Sequence, residues 1–515
     1  MTRQPDPERT GTPRRDAPLA IPGDEFRRLG HLLVDSVAAF LDSVPDRPLT
    51  PAESPESVRA LLDASRALPA EGSDAEALLA STSRLLFDHS LFNGHPRFFG
   101  YITSSPAPIG MLADLLAAAV NANVGAWRLS PMASEIEAQT IRWIAELSGY
   151  PRDCDGLLVS GGNMANIVGL LAARAGAGGG DIRRDGVGAG ARLRVYASEE
   201  THTWIHKAAD IAGLGTSAIR WISTDEAYRM DVAALRSAIE EDRRAGHLPM
   251  IVVATAGTIS VGAVDPLAAI AAVCQEFGVW LHVDGAYGGF AAAVPGASPD
   301  LDALSRADSL ALDPHKWLYA PLEAGCTLVR RPEALSKAFS YHPPYYHFGQ
   351  QATNYLDLGP QNSRGFRALK VWLALQQAGR NGCARMIADD MALSRRLHAR
   401  VASHPDLEAV TQALSISTFR FVPPDLRGRV EEEAVATYLD RLNQEVLERV
   451  QNSGEAFVSN AVVRGRYLLR ACIVNFHTEA TDVDALPEIV ARLGREVDGA
   501  LRPSAELTSG SVSPP

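Results

Sequence analysis

A chain of 515 residues, 46% hydrophobic and 21% charged, has the composition of a folded globular protein and exceeds the size at which one hydrophobic core keeps growing, so one large domain with smaller ones is expected. Its formal net charge of −12 argues against the basic footprint of a nucleic-acid binder, and no apolar run is long enough to span a bilayer. Cys154, Cys274, Cys326, Cys383 and Cys472 form neither a paired framework nor a Cys-x-x-Cys pattern, and the N-terminus lacks a secretory h-region, so no metal site and a cytoplasmic location are expected.

Residues 1–22 and 503–515 are rich in Pro, Ser and Thr and poor in apolar residues, and are read as disordered tails. From Glu25 to Val44 the residues Phe26, Leu29, Leu32, Leu33, Val37 and Phe40 recur at helical spacing, which predicts an amphipathic helix. It opens an N-terminal helical arm, 23–99, expected to take part in dimer packing. Between 100 and 370 helical patterns alternate with the buried runs LLVS, RVYAS, AIRWIS, MIVVATAG, VWLHVD, SLALD and CTLVR. Strands of this kind separated by helices indicate an α/β domain with a large, mostly parallel sheet. The glycine-rich segment 174–191 and the segment SYHPPYYHFGQQATNY are expected to be loops. The helix begun by SRGFRALKVW leads to a smaller C-terminal α+β domain, 371–502, with strands in LEAVTQ, STFRFV and YLLRACIVNF and two further helices.

Three segments carry chemistry. In SLALDPHKWLYAP an apolar strand runs into Asp313, Pro314, His315 and Lys316; a lysine there ends a buried strand, and desolvation frees an amine for attack on a carbonyl carbon. In VWLHVDGAYGG, Asp284 closes a hydrophobic run before Gly285 and Ala286, at the sheet edge where α/β folds bind ligands. The pairing of Lys and Asp suits pyridoxal phosphate, which needs a lysine at its aldehyde and a carboxylate at its ring nitrogen. In LLVSGGNMANIVGLLAAR a strand meets Gly161, Gly162 and a helix opening near Asn163, a junction able to cradle phosphate. His202 follows another strand more closely than His206 does, and is favoured of the two. Arg364 and Arg367 are candidates either for a carboxylate contact or for fixing a loop or domain junction.

Taken in order, SGGNMAN, HVDGAYGG, DPHKWLYAP and SRGFRALKVW resemble the group II pyridoxal-phosphate-dependent amino-acid decarboxylases, and the aromatic-L-amino-acid decarboxylases in particular. The resemblance spans about residues 25–501. It implies the aspartate-aminotransferase-like fold (fold type I), a homodimer with active sites at the subunit interface, and an L-amino acid as substrate. It also implies that Lys316 carries the cofactor as a Schiff base, Asp284 pairs with the ring nitrogen, and His202 stacks on the ring. Thr255 would lie near the ring hydroxyl and Gly162 with Asn163 at the phosphate; Ala286, Asp313 and His315 complete the cofactor-binding set, and Ser104 lies near the substrate. A loop tyrosine that protonates the α-carbon falls on Tyr345 or its neighbour Tyr346; a phenylalanine there marks the related aldehyde synthases. Two positions depart from the family: Asp313 stands where the aromatic-substrate enzymes have Asn, and Gly125 falls where an aromatic residue is expected. The expected reaction is decarboxylation to an amine and carbon dioxide. The competing readings are decarboxylation coupled to oxidative deamination, and a catalytically silent scaffold of the same fold.

Overall fold

The computed structural model describes residues 17–177, 181–189, 192–341 and 352–502, in two units that divide between Phe92 and Asn93. In the first, the predicted amphipathic helix runs Gly23–Ser43 and is followed by Pro55–Leu62 and Ala75–Asp88. Ser54 and Asp74 cap the second and third by accepting from Ser57 N and Ala77 N, the capping expected of short polar side chains. Phe40 stacks on Phe87 with ring centroids 4.2 Å apart, and Arg28 joins Glu25 to Glu76 at 2.7 Å each. Phe26, Leu32, Val34 and Leu62 stay exposed on this unit.

The second unit is built on two sheets. Strands are numbered β1 Phe98–Phe99, β2 Asp155–Val159, β3 Leu193–Ser198, β4 Ile219–Ile222, β5 Leu248–Thr255, β6 Trp280–Asp284, β7 Ser309–Leu312, β8 Gly325–Val329, β9 Leu407–Ala413, β10 Ile416–Phe421, β11 Phe457–Val463 and β12 Arg466–Cys472. Among the described residues, the larger sheet has the order β2-β8-β7-β6-β5-β3-β4. Strands β3 to β7 in it run parallel, and β8 lies antiparallel to β7 and β2. β5 to β8 are buried almost throughout, as a sheet covered by helices on both faces requires. Register sets the site: Thr255 pairs with Asp284 and Asp284 with Ala311, so three neighbouring strands end level with one another.

The smaller sheet has the order β1-β11-β12-β10-β9, antiparallel except where β1 joins β11. The helix Ala368–Ser403 belongs to both cores. Val371, Ile387 and Met391 pack with the large sheet, and Leu397 and Val401 pack with the small one. Its backbone leaves helical geometry at Gly379, where φ is 65°, a conformation glycine adopts without steric cost.

Two differences from the sequence reading have plain causes. The segment 174–191 is not all loop: the helix Gly162–Gly176 runs into it, and Ile182–Asp185 form another turn. The Asp181 side chain caps that turn by accepting from Arg184 N at 3.2 Å, an interaction that offsets the poor propensity of the surrounding glycines. Strand β11 was not predicted, and its sequence explains why. Ser459 and Asn460 place two polar residues in the middle of FVSNAVV, so the segment lacks the continuous apolar run seen in β5 to β8.

Candidate active site

The turns after β2, β3, β5, β6 and β7 line a cavity of about 490 Å³, at the carboxyl edge where parallel α/β sheets bind ligands. Asp284 ends β6 and is buried. Its Oδ2 accepts from Trp204 Nε1 at 2.7 Å and its Oδ1 from Ala286 N at 3.1 Å, so two donors from different elements fix the plane of the carboxylate. Two residues earlier on the strand, His282 bonds Asn166 Oδ1 and Ser309 Oγ, each at 2.7 Å. Burial drives its imidazole down to about 4, so it is neutral at pH 7. Asn166 Nδ2 in turn donates to Gly162 O at 2.9 Å, tying the Asp284 strand to the glycine turn.

That turn leaves no room for side chains. Gly161 has φ 113°, and a Cβ on Gly162 would stand 2.6 Å from Asp313 Oδ2 and 3.0 Å from the Ala286 Cβ. Gly162 also begins the helix Gly162–Gly176, so unpaired amides and the positive helix end meet the cavity beside Asn163, an arrangement that attracts phosphate.

Lys316 Nζ lies 3.0 Å from Asp313 Oδ2. The turn holding it is closed by Lys316 N donating to Asp313 O at 2.9 Å and Tyr319 N to Lys316 O at 3.1 Å. Asp313, the departure from the family, is therefore paired with the lysine; its Oδ1 is buried without a partner among the described residues. His315 Nε2 is 3.7 Å from the same carboxylate, while its Nδ1 meets Ala324 O at 2.7 Å. Burial lowers its pKa against the opposing pull of Asp313. His202 accepts from Trp204 N at Nδ1, 3.1 Å away, which places the ring proton on Nε2. Burial lowers its pKa, with Asp284 opposing, and a neutral ring results at pH 7. His206 instead packs on Trp221.

Thr255 N donates to Asp265 Oδ2 at 2.7 Å, and its Oγ1 is buried with no partner among the described residues. Asp265 also accepts from Met230 N at 2.7 Å, and burial pushes its carboxyl up to about 6. Ser104 does not line the cavity; its hydroxyl donates to His315 O at 2.8 Å and supports the lysine turn from behind, while Tyr101, Ile102 and Thr103 line the wall. Tyr345 and Tyr346 lie outside the described residues.

Arg364 and Arg367 stand elsewhere. Arg364 is buried against Glu137 at 2.5 Å and also donates to Val124 O and Leu158 O; Arg367 pairs with Glu323 at 3.0 Å. Of the two roles open to Arg364, fixing the chain is the one its contacts serve. Arg364→Ala should destabilise the protein by about 3–5 kcal/mol, because it strands a buried carboxylate; a denaturant midpoint within error of wild type would refute this. Gly125 is explained by the same junction. A Cβ there would come 2.1 Å from Asn362 O, so no aromatic side chain fits.

The cavity also holds a residue the sequence reading missed. Arg470 on β12 lines it and donates to Tyr101 O at 3.1 Å and Ser459 Oγ at 3.0 Å, yet Nε and Nη2 are buried without a partner among the described residues. The available signal was a charge inside the apolar run YLLRACIV, where an arginine is rare unless paired or functional.

A carboxylate, an amine, a side-chain-free helix start, a flat neutral imidazole and unpartnered Thr255 and Asp313 oxygens are the complement a phosphorylated pyridine aldehyde requires. The family model described as the pyridoxal-dependent decarboxylase conserved domain matches residues 55–421. The chain belongs to the pyridoxal-dependent decarboxylase family. This decarboxylase is 33% identical to an aromatic-L-amino-acid decarboxylase of Bacillus atrophaeus, over 93% of its own length and 97% of the relative's. It is 29% identical to a phenylacetaldehyde synthase of Petunia hybrida, covering 91% and 94% of the two chains. Among solved structures it resembles an Oryza sativa TDC with PLP and tryptamine, with TM-score 0.85 and 29% identity over 94% of this chain and 99% of that one. The decarboxylase thus has the expected fold type I architecture, uses pyridoxal phosphate and is a carboxy-lyase acting on amino acids. The silent-scaffold reading is set aside.

Proposed function

We propose that this decarboxylase removes the α-carboxyl group of an aromatic L-amino acid and releases the amine, with its active sites completed in a homodimer. The observation that carries the reading is the cavity that combines Lys316, Asp284 and Arg470 with an apolar wall of Ile102, Ile259, Ala461 and Val462. Apolar walls with a few placed polar groups suit a substrate whose side chain is an aryl ring. The names of the Bacillus and rice relatives support the same substrate class.

Bound pyridoxal phosphate supplies an electron sink for the bond to the departing carboxylate. Lys316, whose Nζ reaches the cavity beside Asp313, would hold the cofactor through its aldehyde. Asp284, fixed by Trp204 and Ala286, keeps a proton on the ring nitrogen. His202 presents a neutral ring face with its proton on Nε2, and Thr255 Oγ1 offers a hydrogen bond to the ring hydroxyl. Gly162, Asn163 and the helix start would hold the phosphate, with Ala286 lining the cavity beside it and His315 packed against Gly161 behind the turn. Arg470 would fix the substrate carboxylate through its two unpartnered nitrogens, and the loop tyrosine that the resemblance implies, Tyr345 or Tyr346, would supply the proton for the α-carbon. Arg470→Met should lower kcat/KM by about 3 kcal/mol, on the order of 100-fold, with partial recovery in Arg470→Lys; an Arg470→Met enzyme as efficient as wild type would remove Arg470 from the site.

The dimer is supported by the helix Pro108–Val120. Leu112, Leu115, Leu116 and Val120 are more than half exposed on it at spacings that form one stripe, and an apolar stripe of this kind marks a protein–protein surface. The bare apolar residues of the N-terminal unit point the same way. The unpaired state of all five cysteines suits the reducing cytoplasm.

A second reading, decarboxylation with oxidative loss of the amine, in which dioxygen takes the electron pair as hydrogen peroxide and water hydrolyses the imine to aldehyde and ammonia, is supported by the similarity to the Petunia aldehyde synthase. The test is a product assay on the holoenzyme with a panel of L-amino acids, following carbon dioxide, amine, aldehyde and ammonia. Equal amine and carbon dioxide from an aromatic substrate is the expected result; aldehyde with ammonia would transfer the assignment to the second reading. Preference for an acidic or aliphatic substrate would overturn the substrate class alone.

A further inference from the structure

Beyond the cavity, the lysine turn is gripped by a buried carboxylate that the mechanism above does not use. Asp390 lies on the helix Ala368–Ser403, 2% exposed. Its Oδ2 accepts from Trp317 Nε1 at 3.0 Å and from Tyr319 Oη at 2.7 Å, and its Oδ1 from Asn475 N at 3.4 Å. Trp317 and Tyr319 both belong to the turn that opens at Lys316, and Tyr319 holds a left-handed φ of 52°, a strained conformation for a bulky residue. The Trp317 ring stacks on Tyr287 at 4.6 Å, and Tyr287 lies three residues after Asp284. Its hydroxyl bonds Ser415 Oγ at 2.8 Å and accepts from Ser415 N at 2.9 Å. One carboxylate therefore ties the lysine segment to the long helix and to the chain that follows β12 at Asn475, and through Trp317 to the aspartate segment.

We propose that Asp390 is a positioning residue for Lys316, holding the lysine turn in register with the aspartate segment and coupling both to the smaller sheet. This rests on Lys316 being the cofactor lysine. The proton state of the carboxylate then matters. Burial pushes it up to about 7, against the hydrogen bonds from Tyr319, Trp317 and Asn475. The titratable groups facing this network are Asp389 and Cys383 on the same helix, Tyr319 on the turn, Tyr287 after β6 and Cys472 on β12. Since Oδ2 already accepts from two donors, protonation falls on Oδ1 and opposes the Asn475 amide. The ionised form is the one that holds all three partners, so the link through Asn475 that couples the lysine turn to the smaller sheet is complete above the carboxyl's pKa and is lost as pH falls through it.

The variants Asp390→Asn and Tyr319→Phe, as holoenzymes beside Lys316→Ala, give the test. Wild type should show an acid limb in kcat with a midpoint near the value of about 7 set by burial. In Asp390→Asn the amide oxygen keeps Trp317 and Tyr319 while the NH2 faces Asn475 N, imitating the protonated form. Its kcat should be about tenfold lower with KM within about twofold, and the limb should disappear, since a small misplacement of a reacting group costs rate more than binding. Tyr319→Phe removes a bond that lowers the carboxyl's pKa, so its limb should move to higher pH. A structural role alone would move neither limb. Wild-type kcat and an unchanged limb in Asp390→Asn, or an unmoved limb in a folded Tyr319→Phe, overturns the proposal. If borohydride reduction still fixes the cofactor to Lys316→Ala, the lysine reading itself fails, a result distinct from the first.

Discussion

Lys316→Ala should reduce carbon dioxide release on the order of 10³-fold or more and abolish the covalent attachment of pyridoxal phosphate that borohydride reduction fixes in wild type. The expectation follows from the surroundings of the amine. Nζ is held 3.0 Å from Asp313 on a turn closed by its own backbone bonds, and it shares one cavity with Asp284 and the helix start at Gly162. Alanine keeps that turn, because its closing bonds are made by main-chain atoms. The variant should therefore fold, and bind the cofactor through the phosphate and ring contacts alone. Circular dichroism matching wild type, with cofactor recovered by gel filtration but none fixed to the chain by borohydride, would separate the lost covalent attachment from lost binding. Turnover within tenfold of wild type would mean that another amine does the work.

How much of this was legible beforehand depends on the distance over which each signal acts. The buried strands declare themselves as apolar runs because both of their faces are covered, and so β3, β5, β6 and β7 were readable at once. The lysine and aspartate were readable because each ends such a run. Trp204 was not. Its indole meets Asp284 from 80 positions away, and nothing in the local pattern distinguishes it from a core tryptophan. The His282–Asn166–Gly162 chain is hidden for the same reason, joining residues 116 apart through side chains that would each satisfy a core role. Asp390 is further still from recognition, since a carboxylate in the middle of a helix reads as a solvated face until the two aromatic donors are seen upon it. Asp313 illustrates the opposite case. Its identity stood out as a departure, but its partner became clear only from the turn that brings Nζ back over three residues.

Asp284→Asn should retain the cofactor's visible absorbance through Lys316 and lose on the order of 10²–10³-fold in kcat, the scale on which removing one well-placed electrostatic contact to a transition state acts. The asparagine is isosteric, so the effect isolates charge from volume. It also removes one of two anchors: with Trp204 Nε1 and Ala286 N both donating to the wild-type carboxylate, one of them must face the new NH2. Trp204→Phe separates these effects, because it deletes one donor and leaves the charge. If the charge at the ring nitrogen is what matters, Trp204→Phe should cost far less rate than Asp284→Asn, while lowering stability by about 1–3 kcal/mol as a buried acceptor loses its partner. Equal rate losses in the two variants would instead make orientation of the carboxylate the controlling feature. An Asp284→Asn enzyme within twofold of wild type would show that the electron sink works without this carboxylate, and the acid for the ring nitrogen would have to be sought elsewhere in the cavity.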